Sequence, residues 1–407
     1  MEVLQAKCCI AGGGPAGMML GYLLARAGVE TVVLEKHADF LRDFRGDTIH
    51  PSTLQVLYEL GVLPAFLERS HQEVTELRGV VGGVEVPIAD FSHLPTHCQF
   101  LALMPQWDFL DFLVDAARRY PTFHLKMQAD VSELIEESGQ VAGVRAHTPE
   151  GPLEVRASLV VGADGRASTV RRLAGLAVEN FGVPMDVLWM RISRHDTDPE
   201  TPMGRIEPGR ILVLIYRGDY WQCGYVIPKG GHDQLQTRGI EAFRRDIVSI
   251  APFLEDRVQE LRDWNDIRLL TVTIDRLKQW HRPGLLCIGD AAHAMSPVGG
   301  VGINLAIQDA VATANLLAAP LAAGTLTDAD LRKVQRRRLL PTRLTQWAQI
   351  QIQDHVIGRV LSSDHAISTP FTLQLLKRFE LLRRIPARMV GMGVRPEHVQ
   401  TPDVFSR

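Results

Sequence analysis

Several features are missing from these 407 residues, and each absence removes a class of function. Cysteine is scarce: Cys8, Cys9, Cys98, Cys223 and Cys287 are odd in number and form no Cys-x-x-Cys pair. A disulfide scaffold is thereby excluded, and a reducing, cytoplasmic setting is expected, with no metal site. No charge sign dominates, because 44 Lys and Arg oppose 47 Asp and Glu for a formal charge of −3, with no long basic run. Nucleic acid is therefore not expected as a partner. Long apolar runs are also lacking. The nearest, residues 303–326, is interrupted by Asn304, Gln308, Asp309, Asn315, Pro320 and Gly324. Hydrocarbon tolerates such groups badly, so a buried helix without stable membrane insertion is expected. The first residues carry no cationic stretch ahead of their apolar run and read as a strand rather than a signal peptide. Internal repeats and low-complexity tracts are absent.

What is present, 46% hydrophobic residues, is enough for two or three globular subdomains. Residues 3–11 are a short apolar run, Gly12-Gly-Gly-Pro-Ala-Gly17 follows, and a helical period runs from Pro15 to about Ala27. Thr31-Val-Val-Leu-Glu35 is a second β-branched run. Strand, turn, helix and strand in this order open an α/β sheet. Helices are predicted at 51–60 and 106–119, a three-stranded meander over 123–161, and a separate antiparallel sheet over 187–192, 211–216 and 221–227. Residues 285–289 form one more buried strand, and the helix from Ile303 is predicted to end or kink at Pro320. After Asp328 the pattern is helical, and its basic cluster Arg336-Arg-Arg338 is expected to be a solvated face.

Three glycine and acid motifs carry chemistry. In the first, Gly12-x-Gly14-Pro15-Ala16-Gly17, the turn lets the backbone approach a pyrophosphate, and the helix start offers free N–H groups and a positive dipole end. Glu35, with Lys36 after it, closes the next strand, where a carboxylate accepts from ribose hydroxyls; an acid there favours the unphosphorylated ribose of FAD or NAD. The second motif is Gly162-Ala-Asp164-Gly165-Arg166. The third is Gly289-Asp290-Ala-Ala-His293, continuing through Pro297-Val-Gly-Gly300-Val-Gly302-Ile303-Asn304. Each acid stands where a buried strand gives way to a loop, the place at which α/β sheets contact ligands. Alone, such an aspartate reads as a helix cap. Together with the glycine fingerprint, and in this order, both read as ligand contacts.

In this set and order the motifs resemble the single-component class A flavoprotein monooxygenases, the family of para-hydroxybenzoate hydroxylase, over about residues 1–320. The resemblance implies an α/β fold: a Rossmann-like FAD-binding domain in three pieces (1–75, 97–180 and 275–327), an inserted antiparallel substrate sheet (76–96 and 181–274) and C-terminal helices (328–407). It implies that the first motif holds the ADP part of FAD, that Asp164 lies near the pyrophosphate and that Asp290 contacts the ribityl chain. Arg45 resembles the family arginine near the phosphates, Gln106 the glutamine that also reaches FAD, and Val131 falls where backbone groups meet the adenine. Gly302, Ile303 and Asn304 would face the pyrimidine edge of the isoalloxazine with backbone amides, with Pro297 and Gly300 as further cofactor contacts in the loop before them, and a helix start there stabilises negative charge on the reduced flavin.

The implied reaction uses NADH or NADPH as transient reductant, captures O2 as a flavin C4a-hydroperoxide, and passes one oxygen to an aromatic or similarly electron-rich small molecule. Substrate-lining candidates on the inserted sheet are Trp189, Arg191, Tyr216, Trp221 and Tyr225, of which strand alternation turns about half to the wrong face. No catalytic base is assigned among His50, His97, His232 and His293; the last reads as structural. Epoxidation or quinone-pathway hydroxylation on the same fold stays open. A halogenase is disfavoured because no two of the six tryptophans are two apart, and a disulfide reductase because there is no redox cysteine pair and no second Gly-x-Gly-x-x-Gly. A nucleotide-fold binding protein without redox chemistry is the rival from another class, and Asp164, Asp290 and the 302–304 segment speak against it.

Overall fold

A computed structural model describes residues 2–41, 48–199, 203–363 and 371–406. Its first layer is a sheet whose central strands are parallel. Glu2–Ala11 pairs on one side with Thr31–Leu34 and on the other with Gly151–Gly162. Phe123–Lys126 extends the sheet beyond the first, and Leu285–Cys287 beyond the second. Residues 8–11 and 31–34 are buried throughout, as expected for strands covered on both faces.

Helices cover these strands. α1 (Pro15–Arg26) has a proline in its first turn and presents an almost wholly buried row from Ala16 to Ala25. α2 (Gln106–Ala117) packs beside it with Phe109, Leu113 and Ala117 inward. The predicted meander over 123–161 is corrected: Phe123–Lys126 joins the parallel layer, and only Asp130–Glu137, Gln140–Thr148 and Gly151–Gly162 form the antiparallel meander.

The second layer is a seven-stranded sheet, ordered Arg268–Leu270, Met185–Ser193, Tyr220–Pro228, Arg210–Tyr216, Met203–Glu207, Glu76–Val81 and Val84–Asp90. All its pairings are antiparallel except Met203–Glu207 with Glu76–Val81, which is parallel. On its outer face α3 (Ile240–Ile250) buries Phe243 and Ile247 against Leu188, Leu212 and Tyr225. The inner face carries Val187, Trp189, Ile211 and Val226, which meet Val298 and Val360 from the C-terminal half.

α4 (Gly302–Ala323) runs through Pro320 and stops at Gly324, which is left-handed at φ 68°. The helix thus ends four residues beyond the end expected at Pro320. A proline in the last turn forfeits a single backbone bond, and glycine alone supplies the positive φ of the cap without strain. α4 is long and apolar enough to cross a membrane by length and composition, yet most of it is buried inside the protein. α5 (Asp328–Ile352) follows behind a Thr327–Asp330 capping box. α6 (Arg384–Gly391) lies near the C-terminus.

Candidate cofactor site and substrate face

The three motifs, far apart in sequence, meet at the ends of the parallel strands. Each junction is set by a glycine that leaves no room for a side chain. A Cβ on Gly12 (φ 106°) would lie 2.4 Å from the Ala163 carbonyl oxygen, so the first motif rests on the second. A Cβ on Gly289 (φ 59°) would lie 3.0 Å from the Ala16 Cβ and 3.4 Å from the Ala306 Cβ. The third motif is therefore wedged between the first turns of α1 and α4. Neither helix start has a side-chain cap, and the space in front of Gly14 and Gly302 is open. Two sets of N–H groups and two positive dipole ends thus face one groove.

Glu35 lies at the rim of this groove, accepting from the Gly13 N–H at 2.8 Å and the His37 N–H at 3.1 Å. Lys36 beside it is exposed. The Ala129 N–H donates to the Glu35 carbonyl at 2.9 Å, which brings the strand carrying Val131 alongside. Gln106 is half-buried in the first turn of α2. Arg45 lies outside the described residues.

The two aspartates behave differently. Asp164 folds onto its own loop, accepting from the Ser168 hydroxyl and from the Val170 N–H at 3.0 Å. Burial raises its pKa against these hydrogen bonds. Its side chain thereby braces the loop ahead of the short helix Thr169–Leu173, whose N-cap is Ser168. Asp290 is about one-third exposed toward the groove and accepts from Arg166 Nε at 3.0 Å. Arg166 also donates to the Met295 carbonyl at 3.2 Å, while its buried Nη1 has no partner. Arg171 braces the same corner by donating to the Arg166 carbonyl and to Asp275 at 3.3 Å.

Below Asp290 is a buried ionic chain. Asp309 accepts from the Gly289 N–H at 3.0 Å, contacts His293 Nε2 at 2.6 Å and accepts from Arg338 Nε at 2.9 Å. Arg338 reaches Glu397 at 3.3 Å, and Arg337 clasps Glu397 with two bonds of 2.8 and 2.9 Å. Burial raises the Asp309 pKa, but His293 and Arg338 outweigh it and hold the carboxyl below its ordinary value. The basic cluster is therefore not the solvated face expected: Arg338 is fully buried and Arg337 is paired, leaving only Arg336 exposed.

The loop from Ala294 to Gly302 is gripped from the C-terminal side. Gln346 donates to the Asp275 and Ala294 carbonyls at 2.8 and 3.1 Å, and Gln349 to the Ser296 and Val298 carbonyls at 2.9 and 2.8 Å. Gln349 also accepts from the Ser296 N–H at 3.1 Å, and Gln353 donates to the Ser296 hydroxyl. Pro297 is half-buried, and Gly299 and Gly300 have φ of 79° and 63°. Each ring nitrogen of buried His50 faces a carbonyl oxygen, Gly300 at 3.0 Å and Val390 at 2.7 Å. The Asn304 side chain accepts from Ser52 and Thr53 at 2.6 and 3.1 Å. This fixes the first turn of α4 by a side-chain anchor and leaves the backbone N–H groups of 302–304 for the groove. These glutamines were missed in the sequence, where the spacing 346, 349, 353 was the available signal, a polar stripe along one helix face; His50, weighed there as a possible base, proves to brace the loop.

The substrate candidates divide between the faces of the second sheet. Trp189 is on the inner face, its ring lying over Gly224, where a Cβ would come within 3.0 Å. Arg191 is on the same face by alternation but at an exposed end, over the Tyr220 ring at 3.9 Å. Trp221 and Tyr225 are on the outer face. Trp221 Nε1 donates to Asp198 at 2.8 Å; Tyr225 packs edge-on to Phe243, and burial pushes its pKa up to about 12. Tyr216 stacks edge-on to Trp221 and under Arg194 at the strand end. Tyr225, Trp221 and Tyr216 therefore do not join Trp189. All five cysteines are free and buried, with Cys9 pushed up to about 12, so Cys8 and Cys9 are packing groups.

The groove fits an anionic dinucleotide. Close glycine approaches clear its floor, uncapped helix starts and the unpartnered Arg166 Nη1 supply donors, and Asp290 supplies an acceptor for hydroxyls. Comparisons with known proteins agree. A family model described as FAD binding domain matches residues 5–348. The 6-methylpretetramide 4-monooxygenase of Streptomyces rimosus is 37% identical over 335 residues, covering 81% of this chain and 79% of that protein. A 12-dehydrotetracycline 5-monooxygenase/anhydrotetracycline 6-monooxygenase from the same species is 29% identical, over 74% of this chain and 60% of its own. Among solved structures, Pseudomonas aeruginosa PqsL in complex with 2-aminobenzoylacetate superposes with a TM-score of 0.75 at 22% identity, covering 88% of this chain and 97% of that one. The chain belongs to the FAD-binding family of class A flavoprotein monooxygenases and is an FAD-dependent enzyme of that family.

Proposed function

We propose that the chain uses NADH or NADPH and O2 to hydroxylate an aromatic small molecule, with a fused-ring phenolic polyketide as the first class to test. The convergence of the α1 and α4 starts on Gly289 carries this reading, because it sets two clusters of unpaired backbone donors side by side at the strand ends, where an anionic dinucleotide would lie. Bound there, FAD would supply hydride acceptance and oxygen activation. The residues around it would bind and orient. The 12–17 turn and Arg166 would hold the diphosphate, Glu35 the adenosine ribose and Asp290 the ribityl hydroxyls. The amides of 302–304 would stabilise negative charge at the flavin's pyrimidine edge. Trp189 and the apolar inner face next to Val298 would shelter a flat ring from water and hold it against the loop. Likeness to a relative named for 6-methylpretetramide supports the substrate class.

The test is a screen of the FAD-loaded protein over phenols, quinolones and polyketide aromatics, following NAD(P)H oxidation and product mass together. The expected result is substrate-stimulated oxidation and a product heavier by one oxygen. Bound flavin that NAD(P)H never reduces, with no oxygenated product, would remove the single-component reading.

A further inference from the structure

The C-terminal segment has a surface that neither the cofactor groove nor the substrate face uses. Among the described residues, most large apolar side chains left exposed lie after residue 339. One group is ordered: Leu381, Ile385 and Met389 are 67%, 59% and 50% exposed, with Phe379 at 49% just before them. The spacing of four puts the first three along one side of α6 and its preceding turn. Lys377, Arg378, Arg384 and Arg388 flank them, all exposed.

Acidic groups around this patch are few. Glu380 is exposed within it, Asp90 lies beneath Arg384 beside His93, and Glu76 is 3.6 Å from Arg383. Residues 371–391 carry five Lys and Arg against one Glu, in a chain whose total is −3. The opposite side of α6 is fully engaged. Ala387 is buried, a Cβ on Gly391 would lie 2.6 Å from Leu94, and the Val390 carbonyl faces His50. The helix therefore cannot turn its apolar side inward. It is held with that side to solvent.

We propose that this face docks the protein on an anionic lipid surface as a peripheral contact. Exposed leucine, isoleucine, methionine and phenylalanine flanked by arginine and lysine match the interface of a bilayer: apolar groups enter the acyl boundary while the cations meet headgroup phosphates. A second copy of this chain fits less well, because a two-fold contact through the patch would bring the two cationic rims together. The docking does not rest on the cofactor assignment. Its position does bear on it, since α6 touches the Gly300 loop through His50 and would bring that side of the substrate face to the lipid.

The experiment is co-sedimentation of the full FAD-loaded chain with phosphatidylcholine vesicles, with and without about one-third phosphatidylglycerol. The expected result is binding to the anionic vesicles alone, lost as salt rises from about 0.05 to 0.5 M. Ile385→Ser with Met389→Ser, and separately Arg384→Gln with Arg388→Gln, should each lower the bound fraction about fivefold or more while FAD content and melting temperature hold. If a variant fails to fold, the vesicle-composition and salt series on the unaltered chain still decide. No binding, or equal binding to both vesicles, overturns the proposal. So does a dimer in sedimentation equilibrium that Ile385→Ser with Met389→Ser converts to monomer, which would assign the face to self-association.

Discussion

Asp290 and Asp164 occupy equivalent places at strand ends, yet their surroundings give them different roles. Asp290 keeps an oxygen for the groove, so Asp290→Ala should weaken FAD binding about tenfold or more, as expected for one charged hydrogen bond. Titration by flavin fluorescence quenching measures this, and unchanged affinity would count against the ribityl assignment. Gly289→Ala acts differently. It adds a Cβ at positive φ between Ala16 and Ala306, and should cost about 1–3 kcal/mol in denaturant unfolding besides loosening FAD. His50 sets a pH dependence. Burial holds its pKa below the ordinary value despite the two carbonyls. The unfolded chain therefore takes up a proton first as pH falls below about 6.5. The stability this neutral histidine contributes is complete above that pH and declines below it, levelling once the folded pKa is passed. His50→Gln should flatten this part of a stability-against-pH curve; an unchanged slope would show that other groups dominate.

At the scale of elements, the α5 helix illustrates what a sequence reveals and what it hides. The glycine motifs were legible because their demands are local: a positive φ or a close backbone approach leaves only one residue type possible. The helix starts followed from the same turns. The sheet face was not legible, since alternation divides Trp189 from Tyr225 without saying which side meets the cofactor domain. Least legible was α5, whose arginine triplet looked like a solvated surface. Nothing local distinguishes Arg336 from Arg338; only the packing of α5 on α4 buries the second against Asp309. Arg338→Leu would remove the buried cation shared by Asp309 and Glu397, leaving Asp309 with His293 and the Gly289 N–H and Glu397 with Arg337, and should cost about 3 kcal/mol in urea unfolding. A cost under about 1 kcal/mol would mean that the chain of charges contributes little net stability.

For the whole molecule, the groove is assembled from segments near residues 12, 164 and 290 and is braced from beyond residue 338, so no contiguous stretch contains it. Anything that binds the groove binds only the folded state, and its binding free energy becomes stability of the entire chain. FAD at about one hundred times its dissociation constant should add about 2.7 kcal/mol and raise a single melting transition rather than one of several. The Gln349→Leu variant separates assembly from simple packing. It removes three hydrogen bonds that α5 makes to the loop at Ser296 and Val298, while every group named for the phosphates and ribose stays in place. Diphosphate and ribose contacts should therefore persist and FAD should still bind. The 302–304 amides, then held by the Asn304 anchor alone and no longer by the loop before them, should stabilise the reduced anion less, and the flavin midpoint potential should fall by about 30 mV or more, equivalent to about tenfold for a two-electron couple. A Gln349→Glu variant can still accept from the Ser296 N–H but places a carboxylate against two carbonyls, so it should not restore the potential, whereas Gln349→Asn should do so in part. A potential unchanged from that of the unaltered chain in all three variants would mean that the loop holds its shape without α5.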